Sequence, residues 1–129
     1  VNGKKISPTL QIIDWGDVKN NSFLFTEEFS VQKTGGVDNR RPDIVCFVNG
    51  LPLAVIEAKR PDGYAKKGPT IAEGISQNIR NQLNDEVPHL FSYAQLLFSI
   101  NGAEGRYGTQ GTPKNISSAG NKGLVIPLV

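Results

Sequence analysis

Two apolar runs, Ile44 to Val48 and Leu51 to Ile56, flank Asn49-Gly50 and make the clearest pattern in the chain. Asn-Gly between β-rich segments predicts a hairpin, because both residues tolerate the positive φ of a tight turn. Upstream, L-Q-I-I-D-W from Leu10 to Trp15 predicts a strand ended by Gly16-Asp17. Asn20-Asn21 is turn-like, and Phe23 to Val31 alternates well enough for a second strand before Gly35-Gly36. Downstream, Ile71, Ile75, Ile79 and Leu83 recur every fourth residue and predict a helix with these as its buried stripe. Thr70 and Glu73 fit a capping box at its start, and Pro88 ends the segment. Gly74, Gln77 and Asn81 fall on a different face, polar but uncharged, where Gly74 admits close approach of another backbone. Ala94 to Ile100 reads as a buried strand stopped by Asn101-Gly102, and Arg106 to Thr109 as a short strand or turn. The order β-β-β-β-α-β-β predicts a mixed sheet with at least one covering helix, α/β or α+β.

The remaining segments read as loops. Arg60 to Pro69 is charged and rich in Pro, Gly and Lys, and Thr112 to Gly123 is equally irregular. Leu124 to Val129 is a short apolar end that needs a packing partner, which need not lie in this chain. Residues 1–113 are expected to form one domain, with 114–129 a tail that is discontinuous or opens a following segment. With no helix ahead of the first strand, the chain is expected to be a fragment of something larger.

At 129 residues, 38% hydrophobic and 20% charged, the chain suits one globular domain rather than a disordered one. No apolar run reaches membrane-spanning length and no signal-peptide pattern occurs. One cysteine, Cys46, excludes an intramolecular disulfide and suits the cytoplasm, so the N-x-S triplets at Asn20 and Asn115 read as chance matches. No P-loop or G-x-G-x-x-G marks a nucleotide site. Net charge is only +2, so bulk electrostatics do not announce a nucleic-acid binder. Yet six of the fourteen basic residues, Arg40, Arg41, Lys59, Arg60, Lys66 and Lys67, crowd the two ends of the hairpin. By composition they are a solvated rim, whereas beside a carboxylate pair they suit a phosphate-facing edge.

That pair is Asp43, which opens the first run, and Glu57, which with Lys59 closes the second. Carboxylates on buried strands are costly unless paired, and a divalent cation is a common partner. P-D…E-x-K is the arrangement of a metal-dependent nuclease site. Side chains alternate along a strand, so Glu57 and Lys59 share a face with Leu53 and Val55, and Asp43 with Val45 and Phe47. A plain two-residue turn would pair Val48 with Leu51, set Asp43 opposite Ile56, and separate the carboxylates. The site therefore requires an odd-residue loop or a bulge; Gly50 suits a G1 bulge, and Pro52 disfavours regular pairing. Given that parity, Asp43 and Glu57 are hard oxygen ligands for Mg²⁺, with the Ala58 carbonyl a further ligand. Lys59 would orient water or stabilise the transition state, and whether it serves as a general base stays open. Read separately, Glu57-x-Lys59 is an ordinary charged strand edge and Asp43 after Pro42 a turn cap.

The run N-R-R-P-D-I-V from Asn39, continuing C-F-V-N-G-L-P-L-A-V-I-E-A-K, closely resembles the N-terminal nuclease domain of the restriction (HsdR) subunit of type I restriction–modification enzymes. The likeness extends from about Ile12 to Pro113 and includes I-I-D-W, V-P-H-L-F-S-Y-A-Q-L-L-F-S-I-N-G and R-Y-G-T. It implies an α/β, PD-(D/E)xK restriction-endonuclease-like core, a mixed β-sheet flanked by helices, cleaving double-stranded DNA with Mg²⁺. It further implies an ATP-driven motor elsewhere in the subunit, and modification and specificity subunits as partners. Gln77 matches the first position of the family's Gln-x-x-x-Tyr, which makes it an active-site helper, but Asn81 stands where Tyr would be. Lys114 after Pro113 also departs from the family's aromatic residue, and no upstream helix supplies an extra acid, a role not assigned to Glu27 or Glu28. A catalytically silent module that positions DNA or subunits, or another nuclease of this fold such as a repair enzyme, are the alternatives. Elsewhere, His89 reads as a loop residue without metal-spaced partners, Cys46 as a small buried hydrophobe, and Trp15 as core or edge packing. Arg106 and Tyr107 suit either DNA contact or, for Tyr107, packing on the sheet.

Overall fold

A computed structural model of the chain describes residue 3 and residues 7–60, 70–102 and 105–114. Strands β1 (Phe23–Glu27), β4 (Ile44–Val48), β5 (Leu51–Ala58), β6 (Leu96–Ile100) and β7 (Gly105–Gly108) form one sheet in the order β1-β4-β5-β6-β7. Strands β5 and β6 run parallel and the other neighbours antiparallel, so the sheet is mixed. The parallel pair needs a crossover, supplied by α1 (Ile71–Asn81) and the short α2 (Pro88–Phe91). A separate ribbon pairs β2 (Val31–Gln32) with β3 (Asn39–Arg40) around the positive-φ glycines Gly35 and Gly36. The mixed α/β architecture agrees with the hydrophobic pattern.

The core lies on one face of the sheet. Val45 and Val55, directly opposed on β4 and β5, are fully buried with Val87, Leu90, Phe91, Ala94 and Leu97, and Phe29 meets Phe47 edge-on at 5.4 Å. The other face carries Phe25, Cys46, Ala54 and Leu96 in register, and Phe25 is 69% exposed. Cys46 is thus half-buried on this open face rather than a core residue. Tyr107 packs against Phe98 here, ring centres 6.1 Å apart, which is the packing role among its two readings.

Several expectations fail for identifiable reasons. Leu10–Trp15 forms no strand. Asp14 Oδ1 instead accepts from the backbone N–H groups of Gly16 and Asp17, and Asn20 donates to Asp14 Oδ2 at 2.8 Å. These short-range bonds offer the backbone an alternative to a ladder and lead into a 3-10 turn at Val18–Asn20. Trp15, 80% exposed, packs in neither core nor edge. The helix also buries a different stripe: Ile71, Gly74, Asn78 and Asn81, while Ile75 and Ile79 are half-buried and Leu83 lies beyond the last turn, exposed. Gly74 allows the close approach, and Asn78 offsets the cost of burial by donating to the Phe98 carbonyl at 3.0 Å. Ile75 and Ile79 line a cleft with Leu97, Tyr107 and Pro113 on the β7 side of the helix. Thr70 occupies the N-cap, but its side chain makes no capping bond. Pro88 begins α2, which places the exposed His89 in a helical turn rather than a loop.

Candidate functional site

The hairpin decides whether the carboxylates meet. Asn49 and Gly50 both have positive φ, 50° and 84°, as a two-residue turn of the hairpin type requires, and Val48 pairs with Leu51. One residue later the register shifts: Phe47 pairs with Pro52, but Cys46 pairs with Ala54. Leu53 is the extra residue. The required bulge is therefore present, beside Pro52 and not at Gly50, and the Leu53 carbonyl accepts from the Gln95 N–H leading into β6. Asn49 anchors the turn by accepting from Ser22 N–H and donating to the Ile12 carbonyl, each at 2.7 Å.

Past the bulge, Val45 faces Val55 and Ile44 faces Ile56, and the next step sets Asp43 opposite Glu57. Asp43 Oδ2 accepts from the Ala58 N–H at 2.7 Å, while its carbonyl accepts from Glu28 N–H at 2.9 Å. Glu57 is only 4% exposed, and Lys59 Nζ lies 3.5 Å from Glu57 Oε2. Burial pushes the Glu57 carboxyl up to about 7, and the Asp43 charge adds to the shift. Lys59 opposes both, and a hydrogen bond shared with Asp43 reinforces the rise. Two acids and one ammonium converge at this end of the hairpin, Glu57 buried and Asp43 and Lys59 half-buried.

Gln77 belongs to the helix over this site but forms no hydrogen bond with Asp43, Glu57 or Lys59 among the described residues. Among the described residues its Oε1 is buried without a partner, as is Asn78 Oδ1. Among the described residues no group of three or more His, Cys, Asp and Glu side chains could hold a metal. A two-carboxylate site is poor for Zn²⁺, which takes three or four protein ligands, but fits Mg²⁺, which binds through one or two carboxylates and keeps its waters. The basic cluster is only partly available. Arg40 is engaged by Glu86 through Nε to Oε2 at 2.5 Å and Nη2 to Oε1 at 2.8 Å, joining β3 to the segment before α2. Lys33 adds a 3.2 Å contact, and Arg40 with Lys33 holds Glu86 down at about 2. Arg40 is thus a structural ion pair and not part of a free phosphate-facing edge. Arg41 meets Glu28 at 3.4 Å with both side chains exposed, Arg60 is exposed, and Lys66 and Lys67 lie outside the described residues. The Arg40–Glu86 pairing spans forty-six positions and leaves no local sequence signal.

The profile of a family described as type I restriction enzyme R protein N terminus matches residues 1–116. The chain belongs to this family. It is 33% identical over 111 residues to a putative type I restriction enzyme MjaIXP endonuclease subunit of Methanocaldococcus jannaschii, covering 84% of this chain and 10% of that protein. The HindI endonuclease subunit of Haemophilus influenzae is 31% identical over 108 residues, again 84% of this chain and 10% of the other. An endonuclease subunit of Staphylococcus aureus is 32% identical over 98 residues, covering 76% and 10%. The chain therefore spans about a tenth of the curated relatives it matches. As a type I restriction enzyme R region it has no helix, among the described residues, long and apolar enough to cross a membrane.

Proposed function

We propose that this R-subunit region is a Mg²⁺-dependent endonuclease domain with a PD-(D/E)xK core, hydrolysing phosphodiester bonds of double-stranded DNA. The observation that carries the reading is the convergence of Asp43, Glu57 and Lys59 across a bulged hairpin. Asp43 and Glu57 would hold the Mg²⁺. The N–H and C=O of one strand residue point the same way, so the Ala58 carbonyl lies toward Asp43, where its N–H already donates, and would be a further ligand. Bound Mg²⁺ supplies a Lewis acid that neutralises charge on the phosphate and acidifies water. Lys59 places a positive charge beside the site to orient water or stabilise charge as it develops. Gln77 Oε1, buried and without a partner among the described residues, is an acceptor that would support the site from the covering helix.

Translocation driven by ATP would belong to the part of the subunit outside this chain. The partners are then double-stranded DNA and the modification and specificity subunits, in the cytoplasm. A second reading, a catalytically silent positioning module, is favoured by the open sheet face with Phe23, Phe25 and Leu96 exposed. The two part on metal binding. Calorimetric titration with Mg²⁺ should give saturable binding that Glu57→Gln and Asp43→Asn each weaken. Equal binding by all three proteins would remove the metal site and leave the positioning role.

A further inference from the structure

Helix α1 meets β5 and β6 through its smallest residue. A Cβ added at Gly74 would overlap the Ser99 Oγ, lie 3.1 Å from the Ser99 Cβ and 3.3 Å from the Glu57 Cβ. Ser99 is paired with Glu57 across the parallel strands, so one glycine backbone rests on both side chains at once. The Ser99 hydroxyl, 1% exposed as a residue, donates to the Ile71 carbonyl in the first turn of α1 at 2.9 Å. Asn78, one turn beyond Gly74, fastens the same helix to the Phe98 carbonyl.

From this contact we infer that Gly74, seated against Ser99, is a positioning residue for the metal-binding carboxylate, an inference that rests on the nuclease reading above. The α1 backbone closes over the Glu57 Cβ and leaves the side chain little room except toward Asp43 and Lys59. Because Gln77 is three residues on from Gly74, the same contact sets the height of its amide over the sheet. A side chain at position 74 lifts the helix, releases Glu57 and carries Gln77 away. Hydrophobic packing alone would not demand this geometry, since Ile75 and Ile79 face the neighbouring cleft.

The test compares the wild-type chain with Gly74→Ala, Ser99→Ala, the double variant and Glu57→Gln, reading Mn²⁺ binding by electron paramagnetic resonance alongside metal-free melting. Loss of a residue that orients a metal ligand costs about ten- to a hundredfold in affinity, so Gly74→Ala should weaken Mn²⁺ by about tenfold. Adding Ser99→Ala removes the overlapping hydroxyl and should restore most of that loss, although it also removes the bond to Ile71. A folded Gly74→Ala chain that binds Mn²⁺ like wild type overturns the inference while leaving the nuclease reading intact. So does a double variant as weak as Gly74→Ala. If Gly74→Ala does not fold, recovery of folded, Mn²⁺-binding protein in the double variant supports the inference, and its failure while Ser99→Ala folds overturns it. Wild-type binding unaltered by Glu57→Gln, or no wild-type binding, removes the metal site itself and this inference with it.

Discussion

Asp43 Oδ2 accepts the Ala58 N–H at 2.7 Å across a hairpin whose register Leu53 has shifted by one residue, and that shift brings Asp43 to Glu57. Asp43→Asn removes the charge that helps raise Glu57, so the Glu57 carboxyl should titrate below about 7 while burial keeps it above its ordinary 4.5. Carboxyl NMR titration of the metal-free chain checks this. Mg²⁺ affinity should fall at least about tenfold in the same variant.

Glu57 also makes stability depend on pH. Its folded pKa lies above its unfolded value, so the folded state holds the proton more tightly between about 4.5 and 7. Metal-free stability should therefore fall as pH rises through that window and level off above it. Glu57→Gln, which stays neutral, should flatten the slope and stabilise the metal-free chain at pH 8 by on the order of 1–3 kcal/mol, measured by urea unfolding.

Metal binding should be linked to the same proton. Mg²⁺ requires ionised carboxylates, so its affinity should rise with pH up to about 7 and then flatten. Below that point the change approaches about tenfold per pH unit, with proton release visible as a buffer-dependent heat in calorimetry.

The Arg40–Glu86 pair predicts acid behaviour of opposite sign. Glu86 is held at about 2, so its contribution is present above pH 4.5 and lost as pH falls toward 2. Glu86→Gln should lower the melting temperature at pH 7 and reduce the acid-side loss. Mg²⁺ affinity measured at pH 7 should be unchanged, since neither Glu86 nor Arg40 reaches Asp43 or Glu57.

Much of the fold was legible because strand alternation and turn chemistry are local. The hairpin around Asn49-Gly50, the strand ending at Ile100 and the helix beginning after Thr70 follow from neighbouring residues. The need for a bulge was likewise a matter of counting, but its place at Leu53 depends on Pro52 and on the Gln95 N–H that leads into β6, forty-two positions away. What the chain pattern hid was tertiary. The helix turns Gly74 and Asn78 inward because Ser99 and the Phe98 carbonyl await them, and Asp14 gathers its own loop where apolar spacing favoured a strand. The roles of Asp43, Glu57, Lys59 and Gln77 came from motif and resemblance; geometry adds their placement.

On the proposed function, Asp43, Glu57 and Lys59 act together to cut DNA. The most direct measurement is DNA cleavage by the intact R subunit, assembled with its complex, carrying Lys59→Ala, with ATP hydrolysis and translocation followed in parallel. Removing a group that stabilises transition-state charge should slow cleavage by on the order of 10²–10³, with motor activity unchanged. Cleavage at the wild-type rate with an unimpaired motor would remove Lys59 from the cutting step and with it the nuclease site.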